Sequence, residues 1–94
     1  MASQSRITSI VHIPTFPRAA HAQTMLRQVA SLVKPIMKSR NLRISSLAEF
    51  FPAEKSLLGI NVNGGEKICL RLRQPWDEGT FLGVEECVFI MLHE

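Results

Sequence analysis

Lys67-Ile68-Cys69-Leu70-Arg71-Leu72-Arg73 is the cleanest alternation of apolar and polar residues in this 94-residue chain. Successive side chains of a β-strand point to opposite faces. Ile68, Leu70 and Leu72 therefore face one way, and Lys67, Cys69, Arg71 and Arg73 the other. Just upstream, Asn63-Gly64-Gly65-Glu66 offers residues that accept positive φ, the chemistry of a tight hairpin turn. It lacks the Gly-Lys-Ser/Thr ending of a phosphate-binding loop. Leu57-Leu58-Gly59-Ile60-Asn61-Val62 precedes the turn as another short strand.

Further out, Leu42 to Ser46 alternates as a strand, and Glu49-Phe50-Phe51-Pro52 breaks the pattern. Residues 18–40 predict a helix. Ala22, Leu26, Val29, Val33 and Ile36 recur at steps of four, three, four and three, and form one apolar stripe. Met25, Leu32 and Met37 widen it, and Gln23, Arg27, Ser31, Lys34 and Lys38 occupy the opposite face. Pro35 removes a backbone donor and crowds the carbonyl of Ser31, which predicts a kink. Asn41 suits a left-handed stop. Before the helix, Ile7 to Ile13 is β-branched and strand-like until Pro14 and Pro17, and residues 1–6 read as a disordered tail. Downstream, Pro75-Trp76-Asp77-Glu78-Gly79 reads as a loop. A second helix starts near Val84, with Glu85 and Glu86 favourably placed against its dipole, and meets no stop signal before Glu94. The result is an α+β domain, with one long helix packed on a small twisted sheet and followed by a second helix.

The composition fits one small globular domain: 46% hydrophobic and 20% charged, with mean hydropathy +0.10. A net charge of +3 and a pI of about 9.3 permit an anionic partner without requiring one. Cys69 and Cys87 make no disulfide framework, which points to a reducing, intracellular compartment. No apolar run reaches the ~20 residues that span a bilayer, so no membrane partner is expected.

The apolar run Cys87-Val88-Phe89-Ile90-Met91-Leu92 leads into His93-Glu94, the first two residues of the H-E-x-x-H pattern. In that pattern two histidines four apart share one helix face and a zinc ion. The glutamate between them takes a proton from metal-bound water. Taken alone, His93-Glu94 is a common surface dipeptide. Several upstream strings change its weight: Val33-Lys34-Pro35-Ile36-Met37, Leu47-Ala48-Glu49-Phe50-Phe51-Pro52, and Leu58-Gly59-Ile60-Asn61-Val62-Asn63 with Gly65. Ile68 to Arg73 and Met91-Leu92-His93-Glu94 complete the set. Over roughly Ile7 to Glu94 the chain resembles the N-terminal part of the WLM domain, a zinc metalloprotease family related to the Spartan-type DNA–protein crosslink proteases.

That resemblance implies a zincin-like fold, Zn2+ as cofactor, His93 as a metal ligand and Glu94 as the catalytic base. It also implies cleavage of protein substrates that are DNA-crosslinked or SUMO-linked, in DNA repair and in the nucleus. SUMO and an AAA unfoldase would be bound by segments outside the catalytic domain. The chain departs from the family by ending inside the motif, and Gly83 stands where a Pro is expected. Catalytic zinc usually takes three protein ligands. His12 and His21 have no spacing that pairs with His93, so weak zinc binding and no peptidase activity are expected of these 94 residues alone.

Two other readings remain open. The chain could bind DNA or protein without catalysis, or could be a product whose exposed apolar face, with Phe89 and Leu92, self-associates. Lys67, Arg71 and Arg73 are the candidate DNA contacts, as a basic strip on one strand face. The same strand could instead be a sheet edge that pairs with extended substrate. Arg27, Lys34 and Lys38 form a second strip, read more simply as a solvated helix face. Cys69 lacks a paired base and reads as inert. Trp76 reads as a partly buried plug rather than a partner anchor. Phe50, Phe51, Phe81 and Phe89 read as core, and Met25, Met37 and Met91 as core filler.

Overall fold

The computed structural model describes residues 6–93, so Met1 to Ser5 of the expected tail, and Glu94, lie outside the described residues. The elements follow in the order β1 (Ile7–Val11), α1 (Ala19–Ser39), β2 (Ile44–Phe50), β3 (Gly59–Val62), β4 (Lys67–Arg71), β5 (Arg73–Gln74), β6 (Asp77–Phe81) and α2 (Val84–Leu92). The α+β expectation holds. Four strands form a sheet ordered β1-β2-β4-β3, and β5 and β6 form a separate two-stranded ribbon. β1, β2 and β4 run parallel, while β3 joins β4 antiparallel with Ile60 opposite Cys69. β4 lies between β2 and β3, so it has no free edge on which an extended peptide could pair. No helix among the described residues is long and apolar enough to cross a membrane.

The turn chemistry decides two boundaries. Asn63, Gly64 and Gly65 all take positive φ, and the Asn63 side-chain amide donates to Glu66 Oε1 at 3.0 Å. Asn41 ends α1 at φ 54°, and the next amide, of Leu42, closes onto the Met37 carbonyl at 2.8 Å. α1 continues through Pro35 as one helix.

The buried stripe of α1 is Ala22, Met25, Leu26, Val29, Val33 and Met37. It packs with Ile7, Ile44, Leu47, Ile68, Leu70 and Leu72 of the sheet side and with Cys87 and Met91 of α2. Each large aliphatic side chain buried this way contributes about 1.5–3 kcal/mol. Leu32 does not join the stripe; it is 54% exposed.

The structure departs from the sequence reading in three places. First, β2 runs on through Glu49 and Phe50, because β4 still pairs with it there, with Leu70 opposite Glu49 and Arg71 opposite Phe50. Second, the expected loop at 75–79 is the turn and first part of the β5–β6 ribbon. Asp77 accepts from the Gly79 amide at 2.9 Å and the Thr80 hydroxyl at 2.6 Å. Those bonds, the Thr80 one foremost, hold the Asp77 carboxyl below its ordinary pKa. Trp76, at the ribbon's tip, is 73% exposed rather than a buried plug.

Third, the face of β4 opposite the core is covered, not solvated. Arg71 is fully buried. Its Nε donates to the Leu57 carbonyl at 3.1 Å, and its Nη2 donates to those of Pro52 and Glu54, both at 3.0 Å. The segment between β2 and β3 thus folds over the sheet onto this guanidinium, with the Phe51 ring 5.1 Å away. Desolvation lowers the Arg71 pKa, without threatening its charge.

Candidate metal centre at the end of the second helix

α2 begins at Gly83, whose amide is capped by the Glu86 carboxylate at 3.0 Å. Cys87 and Met91 anchor it on the core. Cys87 is fully buried, with Sγ 3.7 Å from the Arg71 carbonyl. Burial, reinforced by the charge of Glu86, pushes its thiol up to about 12. This anchoring leaves the far face of the helix outside: Phe89 is 64% exposed, contrary to its reading as core, and Leu92 is 36% exposed.

His93 follows directly as the C-terminal cap of α2 and is exposed. Its Nδ1 lies 2.8 Å from the Phe89 carbonyl one turn back, and its ring stacks on the Phe89 ring at 4.1 Å and 27°. A carbonyl only accepts hydrogen bonds, so Nδ1 carries the proton and the Nε2 lone pair is left outward. Metal-binding histidines are usually held this way, with one ring nitrogen on a carbonyl and the other on the ion. His93 therefore fits the role of a zinc ligand.

The rest of a ligand set is not assembled here. No group of three His, Cys, Asp or Glu residues capable of holding a metal occurs among the described residues. His21 packs edge-on against Phe81 at 4.5 Å, far along the chain from α2. Glu94, the base that the family resemblance implies, lies outside the described residues.

The three candidate DNA contacts separate. Lys67 is exposed at the start of β4. Arg71 and Arg73 are each 0% exposed, so the expected basic strip is not a surface. Arg73 pairs with Glu49 at 2.6 Å, with both side chains fully buried. Its Nη1 donates to the carbonyls of Pro17 and Glu78, each at 2.6 Å. Glu49 uses its other oxygen to accept the Ile13 amide at 2.8 Å. Phe81 and Phe16 flank the guanidinium at 4.7 and 5.2 Å. Arg71 and Arg73 are scaffold residues. Sequence reasoning passed over Glu49; its signal was a lone carboxylate inside the apolar run Leu47-Ala48-Glu49-Phe50-Phe51, which needs a cation if buried.

Comparison with known proteins shows the family and the fold. The WLM domain family matches residues 5–94. The DNA-dependent metalloprotease WSS1 of Saccharomyces cerevisiae is 38% identical over 88 residues, which make up 94% of this chain and 33% of that protein. The chain thus spans a third of its relative's length. The crystal structure of Wss1 from S. cerevisiae superposes with a TM-score of 0.93 at 37% identity, covering 95% of this chain and 70% of the other. Wss1 from S. pombe gives 0.84 at 26% identity, covering 98% and 75%. A match over nearly every residue, together with a histidine poised at the end of α2, places this chain in the WLM family.

Proposed function

We propose that this chain is the N-terminal part of a zinc-dependent protease domain whose activity depends on DNA, and that it acts on DNA-crosslinked or SUMO-linked proteins in the nucleus. The carrying observation is the His93 ring, whose Nδ1–H is fixed on the Phe89 carbonyl, at the end of the α2 helix of a WLM domain. In this reading His93 holds Zn2+ through Nε2, and Glu94 accepts the proton of the attacking water. Zinc, when bound, polarises the scissile carbonyl and acidifies that water. SUMO and an AAA unfoldase are partners of segments outside this domain.

A single histidine is a poor zinc site, because catalytic centres usually take three protein ligands. The 94 residues alone are therefore expected to hold zinc well below one equivalent after dialysis and to leave casein uncut. A form extended with the residues that follow H-E in the yeast relative is expected to bind one equivalent and to hydrolyse protein. In that form Glu94→Gln keeps the metal and loses at least 100-fold in rate, and His93→Ala loses both. Stoichiometric zinc on the 94 residues, or a Glu94→Gln form at full rate, overturns the assignment.

A further inference from the structure

Residues 1–48 contain seven Arg or Lys and no Asp or Glu, whereas residues 49–94 contain four Arg or Lys and all eight acids. Two of those four cations, Arg71 and Arg73, are buried. The positive field is thus concentrated on the N-terminal half, although the net charge is only +3.

On α1, Arg27, Lys34 and Lys38 are all exposed. At about 100° and 1.5 Å per residue, positions 27, 31, 34 and 38 fall within a strip about 60° wide and roughly 16 Å long. Ser31, exposed between them, adds a hydroxyl donor without bulk. Beyond the helix end, Arg40 and Arg43 are also exposed, beside a separate hollow lined by Val33, Met37 and Leu92. One flank of the strip is positive too. Arg6, Ile7 and Ile10 of the β1 side line a cavity of about 220 Å³ with Ala30, Ser31 and Lys34. The Arg6 guanidinium is steadied there by the Asn41 Oδ1 at 3.1 Å and the Leu42 carbonyl at 3.5 Å. The other flank meets α2: Val84 closes a shallow hollow with Gln28, Ser31 and Leu32, and Glu85 and Glu86 follow in that helix's first turn. An anionic chain is repelled on the α2 side and attracted on the β1 side.

We propose that this face of α1, with Arg6, binds the phosphate backbone of a DNA strand. Arg27, Lys34 and Lys38 make the phosphate contacts, and binding is independent of base sequence. The proposal rests on the DNA-dependent reading above and gives it a surface.

The test measures fluorescence anisotropy of a labelled 20-nucleotide single strand, with the whole chain, between 50 and 200 mM salt. The triple variant Arg27→Gln/Lys34→Gln/Lys38→Gln is expected to bind at least tenfold more weakly at 100 mM salt. Its slope of log affinity against log salt should be shallower by about 2, since each lost phosphate contact on a single strand removes about 0.7. Lys55→Gln, outside the strip, should change affinity less than twofold. An unchanged thermal melt excludes unfolding as the cause. The proposal is overturned if the wild type does not bind at 50 mM salt, if the triple variant keeps its affinity and slope, or if Lys67→Gln alone causes an equal loss. The zinc and Glu94→Gln measurements involve none of these residues, so either proposal can fall while the other stands.

Discussion

Glu49 and Arg73 meet at 2.6 Å with neither side chain exposed to solvent. Glu49 sits on β2, while Arg73 also holds the carbonyls of Pro17 and Glu78. Removing one member of such a pair strands the other charge in the interior, at a cost of about 3–5 kcal/mol. Glu49→Ala should therefore destabilise by that amount, a large share of the ~5–15 kcal/mol that holds a domain folded. Urea denaturation measures it; a loss below about 1 kcal/mol would show the pair to be dispensable.

Arg71 binds three carbonyls of the segment between β2 and β3. A lysine has a single donor group and cannot span that fork. Arg71→Lys should cost about 2–4 kcal/mol, from the lost charge-assisted bonds and the carbonyls left unpaired. It should also speed proteolysis between residues 51 and 58. Equal cleavage rates for the two proteins would contradict the role given to this guanidinium.

Cys87 supplies a pH dependence. Its thiol titrates near 12 in the folded protein against an ordinary 9.0. Between those values the folded state binds more protons than the unfolded one, so stability falls as pH rises. The contribution is complete below pH 9 and lost toward pH 12. The urea midpoint of the wild type should drop more steeply from pH 9 to 11 than that of Cys87→Ala. At pH 8, Cys87 should resist iodoacetamide until the protein is unfolded.

For His93, the bond to the Phe89 carbonyl fixes which ring nitrogen carries the proton. Long-range proton–nitrogen spectra at pH 8 should show Nδ1 protonated and Nε2 bare. Phe89→Ala removes the stacked ring but keeps the carbonyl, so the same tautomer should persist with a more mobile ring. A predominantly Nε2-protonated imidazole would argue against its preparation for metal.

The parts of the fold that depend on local chemistry were legible in the sequence. The stripe from Ala22 to Met37, the alternation of Ile68, Leu70 and Leu72, and the left-handed positions Asn41, Asn63 and Gly64 each announce themselves within a few residues. What alternation does not reveal is whether a face is covered. Lys67 to Arg73 alternates as if one strand, yet Arg71 ends β4 and Arg73 opens β5 of the separate ribbon, and both are roofed, by an aperiodic segment and by the turn at Pro17. The exposure of Phe89 escaped for the complementary reason: α2 is apolar nearly all round, and only its packing on Cys87 and Met91 selects the inner face. At the candidate metal centre, the motif marked His93, while the orientation of its ring depends on a hydrogen bond that no spacing encodes.

The placement of β4 in the middle of the sheet bears on how the protein is made. β1 and β2 leave the ribosome first, yet β2 needs Lys67–Arg71 as its second neighbour, and only β3 reaches β4 through a short turn. Contacts distant in sequence form slowly, and unpaired strands invite association while they wait. During synthesis, roughly two-thirds of this chain emerges before the strand that organises it. That interval is when a chaperone has most to shield.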